Sequence, residues 1–247
     1  LLESRGLGDV YKRQIMNTNS DKVKGFEALL RWSDEELGDI APDEFISLAE
    51  ESGQIVPLGK WVLNSALKQL SMWQREFDHE LMMSINISSI QMHATFAEQL
   101  SAMLNFYNIQ PQSVALEITE SSMIFKHGEV RQALSDISKL GVELHLDDFG
   151  TGYSSLSMLH DLPISTVKLD KSFVHGSHKG SKAIVQATHA ICDKLGLKVV
   201  AEGVETETQK AFLIDCGYQY LQGFLFSKPI PSNEVERQFL TGQLIDI

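Results

Sequence analysis

The chain has 247 residues, 43% of them hydrophobic and 22% charged, the balance of an ordinary globular protein and a length that suits one large α/β barrel. No apolar run approaches the roughly 18 residues of a membrane helix, and no basic-then-apolar leader opens the chain, so a cytoplasmic location without a membrane segment is expected. The net charge of −12 argues against a surface that tracks long nucleic acid, and two cysteines, Cys192 and Cys216, are too few for a disulfide framework and are expected as packing residues.

In chain order, Asp9 to Gln14 come first and read D-V-Y-K-R-Q, a hexapeptide encoded by one reading frame of a widely used transposon sequencing adaptor. Residues 1–14 are therefore expected to be a non-native cloning or assembly segment, with the natural domain running over 15–247. From Gly25 onward, apolar strand patterns are predicted at 25–30, 82–88, 114–119, 142–148, 165–170, 197–203 and 219–226, spaced as in βα units.

Amphipathic helices lie between these strands. Pro42 opens one with Phe45, Leu48 and Ala49 on a single face, and Gly53 closes it. Val62, Ala66, Leu70 and Trp73 form a core stripe at helical spacing. Thr206 and Gln209 make a capping box, while Gly141, Gly196 and Gly217 suit left-handed helix ends. Seven strands with intervening helices predict a modified TIM-type (β/α)8 barrel in one domain. Its first strand falls in the suspect segment and is expected to be missing or replaced.

Strand parity sorts the polar residues. Val142, Leu144 and Leu146 share the face that packs under helices, whereas Glu143, His145 and Asp147 point the other way. The same alternation sends Asn86, Glu117, Lys168 and Glu202 inward near the C-terminal ends of their strands, where barrels of this class build active sites. Glu27, Glu117, Asp147, Asp148 and Glu202, opposed by Lys168, carry more negative charge than one lysine neutralises. An all-oxygen set of this kind points to Mg²⁺ or Mn²⁺ rather than zinc, and adjacent Asp147 and Asp148 suit two ions. Residues alone support metal-assisted phosphodiester hydrolysis. His145 reads as a satisfied interior histidine, and the glycines of D-F-G-T-G-Y-S-S as turn-formers in a rim loop.

Glu27-Ala28-Leu29-Leu30-Arg31-Trp32 resembles the signature of the EAL family of cyclic di-GMP phosphodiesterases. The resemblance continues in order through N-I-S (86–88), E-I-T-E (117–120), D-D-F-G-T-G-Y-S-S-L (147–156), V-K-L-D (167–170), A-E-G-V-E (201–205) and Q-G-F-L-F-S-K-P (222–229). It implies a modified barrel that hydrolyses cyclic di-GMP to linear pGpG and so lowers this bacterial second messenger. Glu27, Asn86, Glu117 and Asp147 would hold one metal ion, with Asp147 and Asp148 holding the second. Lys168 would orient the attacking water, and Glu202 would be general base or outer acceptor. Leu29, Arg31 and Gln222 would contact substrate, and Glu120 would anchor the 148–156 loop, which links the metal site to a dimer interface. Glu205 would be a guanine-side or structural residue.

A homodimer and an upstream sensor or GGDEF domain are further implications. The chain departs from the pattern in one place: the family's Tyr-Gln-Pro before Ile15 is here Lys12, Arg13 and Gln14. An unpaired strand edge is expected there. A receptor that binds cyclic di-GMP without cleaving it, and a pure protein-interaction barrel, stand as alternatives.

Overall fold

Every barrel strand from Glu27 onward has one apolar parity, and that parity faces a surrounding layer of helices. Residues 7–77, 80–120, 122, 128–152, 156–176 and 178–241 are described by the structure, a computed structural model. The elements run β1 (Leu7–Asn17), β2 (Lys22–Asp34), β3 (Gly38–Ile40), α1 (Pro42–Glu51), α2 (Ile55–Glu76), β4 (Met82–Asn86), α3 (Phe96–Tyr107), β5 (Val114–Thr119) and α4 (Glu129–Leu140). Then follow β6 (Glu143–Phe149), α5 (Leu156–Asp161), β7 (Thr166–Leu169), α6 (Lys171–His175), α7 (Lys179–Leu195), β8 (Lys198–Ala201), α8 (Glu207–Asp215), β9 (Tyr220–Leu221) and α9 (Ser232–Val235).

Strands β2, β4, β5, β6, β7, β8 and β9 pair in parallel in that order, and β1 lies antiparallel between β9 and β2, closing an eight-stranded barrel. Of the two outcomes expected for the first strand, missing or replaced, the second holds, and the expected unpaired edge is corrected. Leu7–Asn17, which includes most of the suspect segment, occupies the position of the first strand and pairs with β2 from Leu7↔Trp32 to Asn17↔Lys22. The physical reason is that a ladder is completed by main-chain hydrogen bonding rather than by residue identity: β1 pairs with β2 along its length, with β9 at Met16 and Asn17, and through Lys12 with Ile230. The cost shows at Lys12, which is buried on the face opposite Arg13. Its ammonium donates to the Val10 carbonyl at 2.7 Å, and burial lowers its pKa to about 8.

The core lies between barrel and helices. Phe26, Ile85, Leu116, Leu144, Val167 and Ala201 are buried beneath a layer that includes the expected stripe Val62, Ala66, Leu70 and Trp73. Each fully buried Leu-sized side chain contributes roughly 1.5–3 kcal/mol. The Trp73 ring lies tilted against Phe26 with centroids 5.1 Å apart, and its indole N–H donates to Glu236 at 2.8 Å. Cys192 is buried and Cys216 half-buried, and both are free thiols. Helix ends follow their signals: Gly141 and Gly196 cap α4 and α7 at φ +91° and +71°, and Thr206 with Gln209 forms a capping box at α8.

Two strands differ most from their expected lengths. Antiparallel pairing with β1 and the β3 hairpin extends β2 to Lys22–Asp34. β9 stops at Leu221 because the chain turns at Gly223, where even a Cβ would lie 2.1 Å from the Val204 carbonyl oxygen. No helix among the described residues is long and apolar enough to cross a membrane.

Candidate active site

The C-terminal ends of the parallel strands meet around one ammonium group. Lys168, on β7, is 1% exposed, and its Nζ lies 2.7 Å from Glu117 Oε2 (β5), 2.7 Å from Glu202 Oε1 (after β8), 3.2 Å from Asp147 Oδ1 (β6) and 3.7 Å from Glu27 Oε1 (β2). Asn86, at the end of β4, donates to Glu27 Oε1 at 3.0 Å, and Gln222 donates to Glu27 Oε2 at 2.9 Å.

Asp148 joins this group against simple alternation. The pairing of β6 with β7 slips between Leu146 and Phe149, and Asp148 takes a left-handed backbone at φ +54°. Carboxylate oxygens of Asp147, Asp148 and Glu202 thereby lie within 4.8 Å of one another, as do those of Glu27, Glu117 and Asp147.

Electrostatics match the crowding. Burial, reinforced by Glu117 and Glu202, raises the Glu27 pKa to about 7, and burial likewise raises Asp147 well above the usual carboxylate range. Burial raises Asp148 too, assisted by Glu202 and Asp170. Burial alone would raise Glu117, but Lys168 and His145 hold it well below its ordinary value. Lys168 is pushed the opposite way from what its burial dictates: the carboxylates raise it well above the usual lysine value. One lysine leaves the cluster short of positive charge. An oxygen-rich, over-acidic cluster at a barrel rim is a fit for hard divalent cations.

Beside the cluster opens a cavity of about 440 Å³, lined in part by Leu29, Arg31, Glu50 and Ser88 and floored by the acidic residues, large enough for a substrate of cofactor size. Arg31 is half-buried, donates to the Leu30 carbonyl at 2.8 Å and stands 5.9 Å over the Tyr11 ring. Gln222 is fully buried against Glu27 rather than lining the cavity. Glu120 is buried and accepts from Gly150 N at 3.0 Å, close enough to Gly152 that a Cβ there would lie 2.6 Å from its Oε1. That places it under the rim loop, of which residues 153–155 lie outside the described residues. Glu205 carries a half-exposed carboxylate 3.7 Å from His175, away from the lysine.

Two contacts escape sequence reading. Arg13 reaches within 3.9 Å of Glu27 Oε2, a consequence of the Arg13↔Glu27 register that its supposed foreignness hid. Glu50, on α1, accepts from Ser88 Oγ at 2.6 Å at the cavity wall; a lone acidic residue in a helix gave no signal.

The EAL domain profile matches residues 6–229. Cyclic di-GMP phosphodiesterase PdeR of Escherichia coli (strain K12) is 42% identical over 221 residues, 88% of this chain and 33% of the relative. Bifunctional diguanylate cyclase/cyclic di-GMP phosphodiesterase MucR of Pseudomonas aeruginosa is 38% identical over 237 residues, 95% of this chain and 34% of the relative. The chain thus spans about a third of the length of these curated relatives. Among solved structures, the PaMucR phosphodiesterase in complex with c-di-GMP superposes with a TM-score of 0.89 at 37% identity, covering 95% of this chain and 96% of that one. Klebsiella pneumoniae BlrP1, in its manganese and c-di-GMP complex, superposes with a TM-score of 0.78 at 28% identity, covering 91% and 56%.

Proposed function

The chain belongs to the EAL domain family, and from that premise we propose that it is a divalent-metal-dependent phosphodiesterase that opens cyclic di-GMP to linear pGpG. The observation that carries this reading is the ring of Glu27, Glu117, Asp147 and Glu202 around Lys168 at the floor of the cavity. Manganese and c-di-GMP in the BlrP1 structure, and the names of PdeR and MucR, support it.

Glu27, Asn86, Glu117 and Asp147 would hold one ion, Mg²⁺ or Mn²⁺, and Asp147 with Asp148 a second. When bound, these ions supply Lewis-acid stabilisation of phosphate charge and make water a better nucleophile at neutral pH. Lys168 orients the water and places its ammonium where negative charge builds up on phosphorus. Glu202 Oε1, 2.7 Å from Lys168 Nζ, accepts the water proton as the oxygen attacks phosphorus. The bond from phosphorus to the 3′ oxygen then breaks, and that oxygen leaves with a proton from solvent. Arg31 and Leu29 hold the dinucleotide at the wall, and Gln222 and Asn86 fix the Glu27 carboxylate. Glu120 anchors the rim loop that follows Asp148.

The same reading takes the domain as cytoplasmic and dimeric, and the name and length of MucR support its being part of a larger signalling chain. Within the suspect segment 1–14, residues 7–14 stand in for a native first strand, an inference supported by the burial of Lys12 within the barrel wall. Arg13 favours one second reading, a receptor that binds cyclic di-GMP without turnover. It sets a cation 3.9 Å from Glu27 where the family resemblance places a neutral glutamine.

Incubation of the purified chain with cyclic di-GMP and Mn²⁺, followed by chromatography for pGpG, separates the two. Product that disappears with chelator and with Glu27→Ala supports the enzyme. Tight nucleotide binding with no product in this chain or in Arg13→Gln leaves the receptor.

A further inference from the structure

Beneath the cluster, on the inward face of β6, His145 lies between two carboxylates. The β5–β6 register sets it directly opposite Glu117, and it is 6% exposed. Its Nε2 is 3.2 Å from Glu143 Oε2, and Glu143 Oε1 is in turn 2.7 Å from Lys198 Nζ at the floor of the barrel. Its Nδ1 faces Glu117 Oε1 at 3.7 Å.

These last two atoms are both buried, and among the described residues neither has a hydrogen-bond partner within reach. The other oxygen of Glu117 is already held by Lys168 at 2.7 Å. A carboxylate oxygen only accepts, and a buried acceptor without a donor is costly. Among the described residues the donor facing Glu117 Oε1 is the imidazole, an adjustment of less than about 1 Å from ordinary hydrogen-bond distance. The Glu143–Lys198 pair holds the ring from behind and fixes its orientation.

Building on the metal-centre reading above, we propose that His145 is a positioning residue for Glu117. It donates Nδ1–H to Oε1, so that the carboxylate is clamped between His145 below and Lys168 beside it and presents one fixed face to a divalent cation. It touches neither substrate nor the reacting atoms. Outer partners that orient a ligating side chain typically account for about 10–100-fold in metal affinity.

The test is Mn²⁺ binding by calorimetry on the purified chain, with thermal melting and steady-state kinetics alongside. His145→Leu fills similar volume without a donor, and His145→Asn keeps an N–H near the place of Nδ1. The expected result is a roughly 10–100-fold weaker Mn²⁺ affinity in His145→Leu, with most of the loss recovered in His145→Asn. Turnover of His145→Leu should approach wild type at saturating Mn²⁺, with KM for cyclic di-GMP unchanged. A folded His145→Leu that binds Mn²⁺ like wild type overturns the proposal. So does an Asn variant as defective as Leu, which would make the role one of packing. If Leu does not fold, the Asn variant against His145→Ala gives the same comparison. Failure of wild type itself to bind Mn²⁺, with Glu117→Ala no different, would instead remove the metal-centre reading on which the proposal stands.

Discussion

Asp148 and Asp147 are neighbours on one strand, yet their carboxylates meet in the same cluster. Alternation should send them to opposite faces of β6. The left-handed backbone of Asp148 at φ +54°, and its N–H donated to Asp147 Oδ1 at 3.0 Å, turn the second carboxylate inward. A non-glycine residue in this conformation costs roughly 1 kcal/mol or more, so the cluster holds a small strain.

Asp148→Asn keeps that backbone, since Asn tolerates the left-handed region, but removes a charge. Burial beside Glu202 and Asp170 already disfavours the Asp148 anion in the metal-free protein. Thermal melting of Asp148→Asn without metal should therefore match or exceed wild type. Its turnover of cyclic di-GMP should fall by roughly 100-fold or more, the scale expected when charge stabilisation at a reacting phosphate is lost. Melting well below wild type with turnover preserved would count against this assignment.

Lys168 neutralises part of a buried anionic ring, so its removal exposes the repulsion. Lys168→Met should destabilise the metal-free chain by about 3–5 kcal/mol, the range for stranding a buried charge. Excess Mn²⁺ should restore part of the melting temperature without restoring activity. Denaturant unfolding with and without metal measures both, and an undiminished stability in chelator would refute the arrangement.

The pH dependence of the metal-free protein has a definite sign. Glu27, raised by burial to about 7 from 4.5, and Asp147, also raised by burial, keep protons in the folded state that the unfolded chain has released. Both therefore lower stability as pH rises from about 4.5 toward 7. His145 adds to the trend: burial opposes its charge, but Glu117 and Glu143 raise it above 6.5, and the stability it contributes is full below 6.5 and lost as pH passes its folded value. In chelator, melting temperature should fall between about pH 5 and about pH 8, and saturating Mn²⁺ should flatten or reverse the slope because bound ligands must be ionised. A chelated protein that is more stable at the higher pH would contradict this balance.

Lys12 is the weak point of β1. Its folded pKa of about 8 lies below the ordinary 10.5, so protonation is penalised at neutral pH and the penalty fades as pH climbs from 8 to 10.5. Lys12→Met should raise stability by up to about 3 kcal/mol near neutrality, with the gain shrinking toward about pH 10. Denaturant titrations of both proteins across that range are the check.

Much of the site was legible because strand parity is a local property. Glu27, Glu117, Asp147, Lys168 and Glu202 sit where alternation and the C-terminal rim place them. Asp148 was assigned through its motif, since its inward turn depends on a bulge that alternation does not contain. The pairing of β1 was not legible because the origin of Asp9–Gln14 says nothing of whether that segment pairs. The short β9 and the burial of Gln222 arise from the close approach of Gly223 to Val204, a contact between distant turns that no local pattern encodes.

The most direct test of the central claim is turnover in ¹⁸O-labelled water with Mn²⁺ and cyclic di-GMP, with mass spectrometry of the products. The account predicts pGpG carrying one solvent oxygen on its terminal 5′ phosphate, abolished by chelator and by Glu27→Ala. Unlabelled product, or labelled product made equally well in chelator, would contradict a metal-dependent hydrolysis at the Lys168 cluster.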